Sequence, residues 1–226
     1  MYGDADAKAL RKLTIFAVII LVSLVVSFII SFLYNPFSRL LAIRNSSSGS
    51  LSNISFGPNF LEYVAIGSLV TIVVEIFTLL QLRSAFKTLS TVDRPRFKTP
   101  AFLTLLLVIA VPIVLAGTII EIAGLLPYMN TIFQQQQAGQ TITPPPISSL
   151  GQTLAGAALA FIGGIITLIG VIGGLILGIW RMGARYAETL FKVAAILFII
   201  PLLDVLSPIL ILIGVSQARK KLPATP

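Results

Sequence analysis

Five long apolar stretches limit what this chain can fold into. They run near residues 13–34, 60–82, 101–126, 153–180 and 190–217. Each is long enough to cross the hydrocarbon core of a bilayer, which is about 30 Å thick and needs about 20 helical residues. The pattern predicts an all-α fold, a polytopic transmembrane helix bundle of five spans that forms one membrane domain over residues 1–226.

The composition supports the same class. Hydrophobic residues make up 56 % of the chain and charged residues only 11 %, whereas soluble domains carry roughly a quarter charged residues. Cysteine and histidine are both absent, which excludes disulfides, thiolate nucleophiles and the usual protein ligands of zinc and haem. We therefore expect no metal and no cofactor.

The distribution of basic residues predicts the topology. The net charge of +8 comes from Lys and Arg residues that mostly flank the apolar stretches, so membrane lipids are expected as partners and nucleic acid is not. The N-terminal tail, the 83–98 segment and the 181–192 connection hold eleven of them, against two in 35–59 and none in 127–152. This asymmetry predicts a multi-pass protein of the cell membrane with a cytoplasmic N-terminus and a cytoplasmic loop over 83–100.

The segments assigned to the outside, 35–59 and 127–152, are uncharged or basic and contain no acidic residue. Asn45 and Asn53 begin Asn-x-Ser triplets in the first of them and are possible glycosylation sites.

The inner interface has two candidate anchors. Trp180 and Tyr186 are expected at this interface, where aromatic rings are enriched. The 83–98 segment places Phe86, Leu89 and Val92 on one face of a turn that could bind anionic headgroups, although a purely topogenic loop is the expected role.

The last apolar stretch, 190–217, has two possible paths. Asp204 lies near its middle between Pro201 and Pro208, and both prolines remove helix hydrogen bonds. A continuous span of about 42 Å, kinked at the prolines, crosses the membrane and leaves the C-terminus outside. A half-depth helical hairpin instead turns near Asp204 and returns the basic residues 219–221 to the cytoplasm, which gives four spans plus a hairpin. We expect the kinked span.

The fourth stretch carries a row of small residues with a seven-residue period, which places them along one helix face. Such a face allows another backbone to approach closely. Packing within this chain is the expected use, and self-association or docking onto another subunit is the alternative. The row consists of Gly156, Ala160, Gly163, Thr167, Gly170, Gly174 and Gly178.

Three acids are candidate functional groups within the apolar stretches: Asp204, Glu75 and Glu121. A charged carboxyl group at bilayer depth is costly, and intramembrane acids often serve as proton or cation relays. The plainer reading is a neutral acid that donates to a backbone carbonyl freed by Pro201 or Pro208. We expect the plainer reading.

The C-terminal part of the chain resembles a crenarchaeal integral membrane family catalogued as domain of unknown function 973. The resemblance implies an archaeal cell-membrane protein, and the family supplies no activity or functional residue to transfer. It depends on Gly183, Tyr186, Lys192, the Ile-Ile-Pro ending at Pro201, Pro208, and the Leu-Ile-Gly ending at Gly214. The Leu-Arg-Lys-Leu segment at 10–13 and the glycine-rich fourth stretch are similar in style.

Phosphate-binding and catalytic motifs are absent from the sequence, so we do not expect an enzyme. The leading hypothesis is a non-catalytic subunit or scaffold that packs against itself, as a homo-oligomer, or against other membrane proteins. The alternative is a small-solute or ion transporter or channel that uses Asp204 and Glu75. A carboxylate-dependent membrane enzyme is a third hypothesis, which the different depths of Glu75, Glu121 and Asp204 oppose.

Overall fold

The computed structural model describes residues 3–33, 59–137, 139, 141, 144, 146–200 and 203–222. Asn45, Asn53 and Pro201 lie outside these residues. The described part is helical and has no strand, which confirms the predicted all-α class. Its elements are α1 (Asp4–Leu33), α2 (Asn59–Ser90), α3 (Arg94–Gln137), α4 (Ile147–Gly170), a π-helical turn (Val171–Ile176), α5 (Leu177–Arg185), α6 (Thr189–Leu197) and α7 (Leu206–Lys220).

Four helical segments of the described part are long and apolar enough to cross a membrane. They cover Asp4–Ile29, Leu69–Ser90, Arg94–Tyr128 and Ile147–Arg185. The last is one continuous rod, because the π-helical turn joins α4 to α5 without a break. These segments correspond to the first four predicted stretches.

Most of the predicted cytoplasmic loop 83–100 is helix. α2 continues to Ser90 and α3 begins at Arg94, so only a short turn separates them. The extension is stabilised by burial: Phe86 and Leu89 are fully buried, and the Phe86 ring stacks on Phe97 of α3 at 6.3 Å. An interfacial turn with Phe86 and Leu89 facing headgroups is therefore not formed.

The stretch 190–217 forms a helical hairpin, the alternative left open by the sequence. α7 runs back along α6, so that Ser207 Oγ donates to the carbonyl of Ala194 at 3.1 Å. At the other end, Lys221 Nζ reaches the carboxylate of Glu188 at 3.2 Å. Arms of 9 and 15 residues are about 14 and 22 Å long, too short to cross about 30 Å of hydrocarbon alone.

The expected single kinked helix is therefore corrected to a hairpin of two helices. The side of the membrane on which the C-terminus lies stays a prediction. The end of α7 lies at the same end of the bundle as the start of α1, because Arg219 Nη2 donates to Thr14 Oγ1 at 3.1 Å. Pro208 has no N–H to donate to the carbonyl of Asp204. That carbonyl instead accepts from the Ser207 N–H at 3.0 Å, which stabilises the turn. The side chain of Asp204 is not needed for this.

The helices close into a ring at one end of the bundle. α1 packs against α2 and α7, α2 against α3, α3 against the α4–α5 rod, and α6 bridges α5 to α7. The fully buried side chains concentrate here: Leu10, Leu13 and Phe16 of α1, Leu82, Phe86 and Leu89 of α2, Phe97 of α3, Ile179 and Met182 of α5, Phe191 of α6, and Ile211 of α7. The ring brings together the basic segments of the sequence, and we call it the charged end.

Candidate functional site

The carboxylate of Asp6 is the most deeply buried charge at the charged end, with 1 % of the residue exposed. Arg185 binds it with two nitrogens, Nε to Oδ1 at 2.7 Å and Nη2 to Oδ2 at 3.0 Å. The Tyr186 hydroxyl donates to Oδ1 at 2.9 Å, and the Gly3 N–H donates to Oδ2 at 3.0 Å. Arg185 also reaches Asp93 through Nη1 at 3.4 Å. We call these five residues the Asp6 cluster.

Three helix ends place this cluster. Asp6 lies in the first turn of α1, and Arg185 lies in the last turn of α5. Asp93 immediately precedes α3 and accepts the N–H of Phe97 through its carbonyl at 3.2 Å. An acid at a helix N-terminus and a base at a C-terminus both interact favourably with the helix dipole. The helix dipoles and the ion pair between Asp6 and Arg185 therefore favour the same arrangement.

Burial raises the pKa of the Tyr186 hydroxyl far above its usual range, and the neighbouring carboxylate of Asp6 raises it further. The phenol therefore stays protonated and acts as a permanent hydrogen-bond donor. Tyr186 is fully buried, and its ring lies 6.2 Å from that of Phe191.

Glu188 forms a second buried carboxylate site, which we call the Glu188 cluster, with 7 % of the residue exposed. Lys221 Nζ donates to Glu188 Oε2 at 3.2 Å and to the carbonyls of Tyr186 and Ala187 at 3.1 Å each. With its amide nitrogen turned toward the carboxylate, Gln217 donates to both oxygens, at 3.0 and 3.2 Å. The tip of α7 is thereby attached to the α5–α6 turn.

Ala187, at the centre of that turn, has φ of +48°. This left-handed conformation is uncommon for a residue with a side chain. Its neighbours hold it there, because Tyr186 is bound to Asp6 and Glu188 is bound to Lys221. A backbone conformation of this kind persists where the surroundings over-determine it.

The chemistry available to these clusters is limited because their buried polar groups are already hydrogen-bonded to one another. Among the described residues, no buried side-chain nitrogen or oxygen lacks a hydrogen-bond partner. The same part of the chain holds no group of three or more acidic residues that could bind a metal ion. The arrangement joins helix ends and positions the turn between them.

The three acids predicted as candidate sites lie outside both clusters, each on a different element. Glu75 is exposed on α2, Glu121 is half-buried on α3, and Asp204 is half-buried at the turn of the hairpin. In the described chain no ion pair includes any of them. Pro208 is buried at the start of α7, where it limits the hairpin and does not kink a continuous span.

Glu75 is exposed on a face of α2 that is buried nearer the charged end. It lies on the same face of α2 as Leu82 and Phe86, at offsets of 7 and 11 residues. Both of those side chains are fully buried, whereas Glu75 is exposed. This face of α2 is therefore buried near the charged end and exposed about 16 Å further along the helix, at Glu75.

The row of small residues packs inside this chain, against α3 over most of its length and against α2 at Gly178. A Cβ added to Gly156 would lie 2.7 Å from the carbonyl oxygen of Gly117 and 2.8 Å from the Cα of Glu121. Added atoms at Gly163, Gly170, Gly174 and Gly178 would meet Val114, Leu107, Thr104 and Phe86. The backbone of Ala160 lies against Gly117, and Thr167 donates to the carbonyl of Gly163 at 2.9 Å.

Sequence reasoning missed both buried clusters. Asp6, Asp93 and Glu188 lie in polar segments, where no sequence pattern marks them as members of a buried cluster. One signal was available: half of the eight acidic residues, the two in the N-terminal tail together with Asp93 and Glu188, lie among the basic residues of the predicted cytoplasmic side. Acids in such surroundings are candidates for ion pairs.

The sequence model of a family described as "Protein of unknown function (DUF973)" matches residues 6–226, and the chain belongs to this family. The match includes the Glu188 cluster and the Asp6 cluster except Gly3, and extends well beyond the C-terminal residues that carried the resemblance. The comparisons with curated proteins and with solved structures find no match.

Proposed function

We propose that this member of the DUF973 family is a non-catalytic membrane subunit or scaffold, which packs against copies of itself or against other membrane proteins of an archaeal cell membrane. Its buried charges are paired with one another at the charged end, in the ion pairs of Asp6 with Arg185 and of Glu188 with Lys221. What the described surface offers to a partner is therefore mainly apolar helix.

One observation carries the proposal. Four large apolar residues of α4 recur every seven residues and are between 59 and 88 % exposed: Ile147, Leu154, Phe161 and Leu168. Leu154, Phe161 and Leu168 each lie two positions before a glycine of the row, so the two rows lie on opposite sides of the helix. We call the exposed row the α4 stripe.

A seven-residue period is the repeat of left-handed, nearly parallel helix packing. Because lipid chains are as apolar as leucine, association of membrane helices depends on close packing and not on hydrophobicity. α4 therefore has one periodic face used within the chain and a second periodic face suited to a neighbouring helix. This favours a role in assembly.

Self-association is tested on the full chain in nanodiscs, with the oligomeric state read by single-molecule photobleaching at a low ratio of protein to lipid. We expect dimers or larger assemblies that dissociate in the variant Leu154→Ala with Phe161→Ala. Phe102→Ala is the matched control, because Phe102 is 59 % exposed on α3 and outside the stripe. Copurification in mild detergent tests other partners. A monomer that also copurifies with nothing would contradict the proposal.

The orientation belongs to the same proposal. The charged end holds fourteen of the sixteen Lys and Arg residues, and the positive-inside bias assigns such an end to the cytoplasm. The start of α1 and the end of α7 would then both be cytoplasmic, with the opposite ends of α3 and α4 outside.

A transporter or channel is the second candidate, and the face of α2 that carries Glu75 supports it. Glu75 lies where this face becomes exposed, and Asp204 lies at the turn of a half-depth hairpin. Half-depth elements with polar tips are a feature of many transporters. In proteoliposomes this function predicts a cation flux that falls in Asp204→Asn and Glu75→Gln and is unchanged in Glu121→Gln. Absence of flux across a range of cations would exclude it.

A further inference from the structure

The acids at the charged end all have cationic partners. Each described acid there forms an ion pair, so these cations are already neutralised. The pairs are Asp4 with Lys8, Asp6 with Arg185, Asp93 with Arg96 and Arg185, and Glu188 with Lys221. Four acids among fourteen cations nevertheless leave most of the positive charge uncompensated.

A second set of cations is held by neutral groups. Lys12 Nζ donates to the hydroxyls of Ser84 and Thr88 at 2.8 and 3.0 Å. Arg219 Nη2 donates to the hydroxyl of Thr14 at 3.1 Å. These contacts fix the positions of the ammonium and guanidinium groups without cancelling their charge.

Two more cations are also held by neutral groups. Arg181 donates through Nη1 to the carbonyl oxygen of Arg96. Lys192 Nζ lies 5.7 Å from the centre of the Trp180 ring, in a cation–π contact. Lys12, Arg181, Lys192 and Arg219 come from four helices of the ring, and in the described chain no ion pair includes any of them. We call these four residues the inner collar.

The inner collar lies nearer the membrane than the buried acids. Along α1, Lys12 is six residues from Asp6, or about 9 Å, toward the apolar part of the helix. Along α5, Arg181 is four residues from Arg185 in the same direction, or about 6 Å. Trp180, 41 % exposed beside Arg181, is the kind of side chain enriched at the membrane–water interface.

Exposed aliphatic side chains continue from the collar into the apolar region. On α6, Val193 and Ile196 are exposed beyond Lys192, and on α1, Ile15 and Val18 are exposed beyond Lys12. A ligand with an anionic head and apolar chains would meet both surfaces at once. A soluble anion would use only the first.

We propose that the inner collar binds the phosphate-bearing headgroups of anionic lipids, whose chains lie along the aliphatic residues of α1 and α6. Charge complementarity identifies the partner, because positioned cations without carboxylate partners stand at headgroup level. The inference needs only insertion of the chain in a membrane and is independent of the scaffold role.

The chain contains one tryptophan, Trp180, which makes it a local reporter of lipid contacts. The full chain is reconstituted in equimolar phosphatidylglycerol and phosphatidylcholine, with quenching bromine atoms on the chains of one lipid or of the other. We expect stronger quenching from brominated phosphatidylglycerol. The ratio of the association constants for phosphatidylglycerol and phosphatidylcholine should be about five at low salt. In 1 M NaCl this ratio falls toward one, because salt screens the headgroup charge.

Removing the collar charges near the reporter, with Arg181→Gln and Lys192→Gln combined, should lower the ratio to less than about twofold. Lys8→Gln is the matched control, because Lys8 is an exposed cation already paired with Asp4. A ratio near one in the unaltered chain, or a ratio unaffected by the double substitution, would overturn the proposal. The salt series decides the question independently if the double variant fails to fold.

A free phosphate site would behave differently. At matched ionic strength, replacing chloride by inorganic phosphate should leave the quenching ratio unchanged. A selective fall in phosphate would show that the collar binds the soluble anion, and would contradict the assignment to lipid.

Discussion

At the scale of single residues, Asp6 shows how position in the fold decides the effect of a charge. Its carboxylate is enclosed and accepts four hydrogen bonds, two of them from Arg185, which is itself 15 % exposed at the side chain. Removing one partner of a buried pair leaves the other charge uncompensated, which is more costly than losing an exposed pair.

The substitution Asp6→Asn should destabilise the protein by about 3 kcal/mol. It keeps the shape of the side chain but leaves the guanidinium of Arg185 without its counter-charge. In a chain of this size the midpoint of thermal unfolding in mild detergent should fall by about 10 °C, measured by circular dichroism.

Asp4→Asn provides the control for this prediction. Asp4 pairs with Lys8 one turn away, and both side chains are about two-thirds exposed, at 70 and 65 %. Exposed pairs of this kind contribute about 0–1 kcal/mol, so the midpoint should hardly move. Equal shifts in the two variants would show that the Asp6 cluster does not stabilise the fold.

The difference between Asp4 and Asp6 was beyond sequence reasoning for a physical reason. The two acids are two residues apart in the same polar turn, and helical geometry puts them on different faces. Which face meets Arg185 depends on a partner 179 residues away in the chain. Local pattern carries no information on such a pairing.

At the scale of elements, the glycine row sets the distance between α3 and α4. The backbones approach so closely that an added Cβ at Gly156 would meet backbone atoms, which cannot rotate away as side chains do. The period of the row was readable from the sequence, because small residues at a seven-residue repeat mark a close helix contact. The sequence did not show which helix faces the row, since every apolar helix is a possible partner.

Gly156→Ala should therefore separate α3 from α4 and lower the unfolding midpoint, with an overpacking cost of about 1–3 kcal/mol. Gly164→Ala is a matched control in the same helix, because nothing lies within 4 Å of a Cβ added there. Alanine stabilises a helix interior by up to about 1 kcal/mol relative to glycine, so this variant should equal or exceed the unaltered chain. Loss of stability in Gly164→Ala alone would contradict the assignment of faces.

The hairpin of α6 and α7 shows where element prediction failed. Length favoured one crossing, since 28 residues are ample for a membrane span. The chain instead turns back before α7, near Pro208, and the basic residues that follow the stretch lie at the same end as the start of α1. Glu188 adds what the sequence did not reveal. Its buried carboxylate accepts hydrogen bonds from Lys221 and Gln217 and so joins the end of α7 to the start of α6.

At the scale of the whole molecule, hydropathy and charge asymmetry predicted the architecture better than any single residue. The first four apolar stretches are the four helical segments able to cross a membrane. The concentration of Lys and Arg became one physical end, where the helices close into a ring. The Asp6 and Glu188 clusters, in contrast, needed the three-dimensional arrangement of five helix ends.

The fold makes a prediction about the two termini that separates it from a five-span bundle. In the structure the start of α1 and the end of α7 lie together, and the α3–α4 connection lies at the far ends of those helices. Five crossings would instead place the termini on opposite sides of the membrane. The chain contains no cysteine, so single cysteines introduced at exposed positions report their side directly through reaction with a membrane-impermeant maleimide.

We expect Lys8→Cys and Lys220→Cys to behave alike and Ser149→Cys to behave oppositely. If the charged end is cytoplasmic, the first two react only after permeabilisation, whereas Ser149→Cys reacts in intact cells. Lys8 and Lys220 are exposed in the structure and Ser149 is half-buried, so failure of either lysine position to react reflects the membrane barrier and not burial. Reaction of Lys220→Cys in intact cells together with protection of Lys8→Cys would contradict the hairpin. Inversion of all three results would keep the hairpin and overturn only the proposed orientation. The packing of the helices decides whether the two termini lie on the same side, whereas insertion into the membrane decides which side that is.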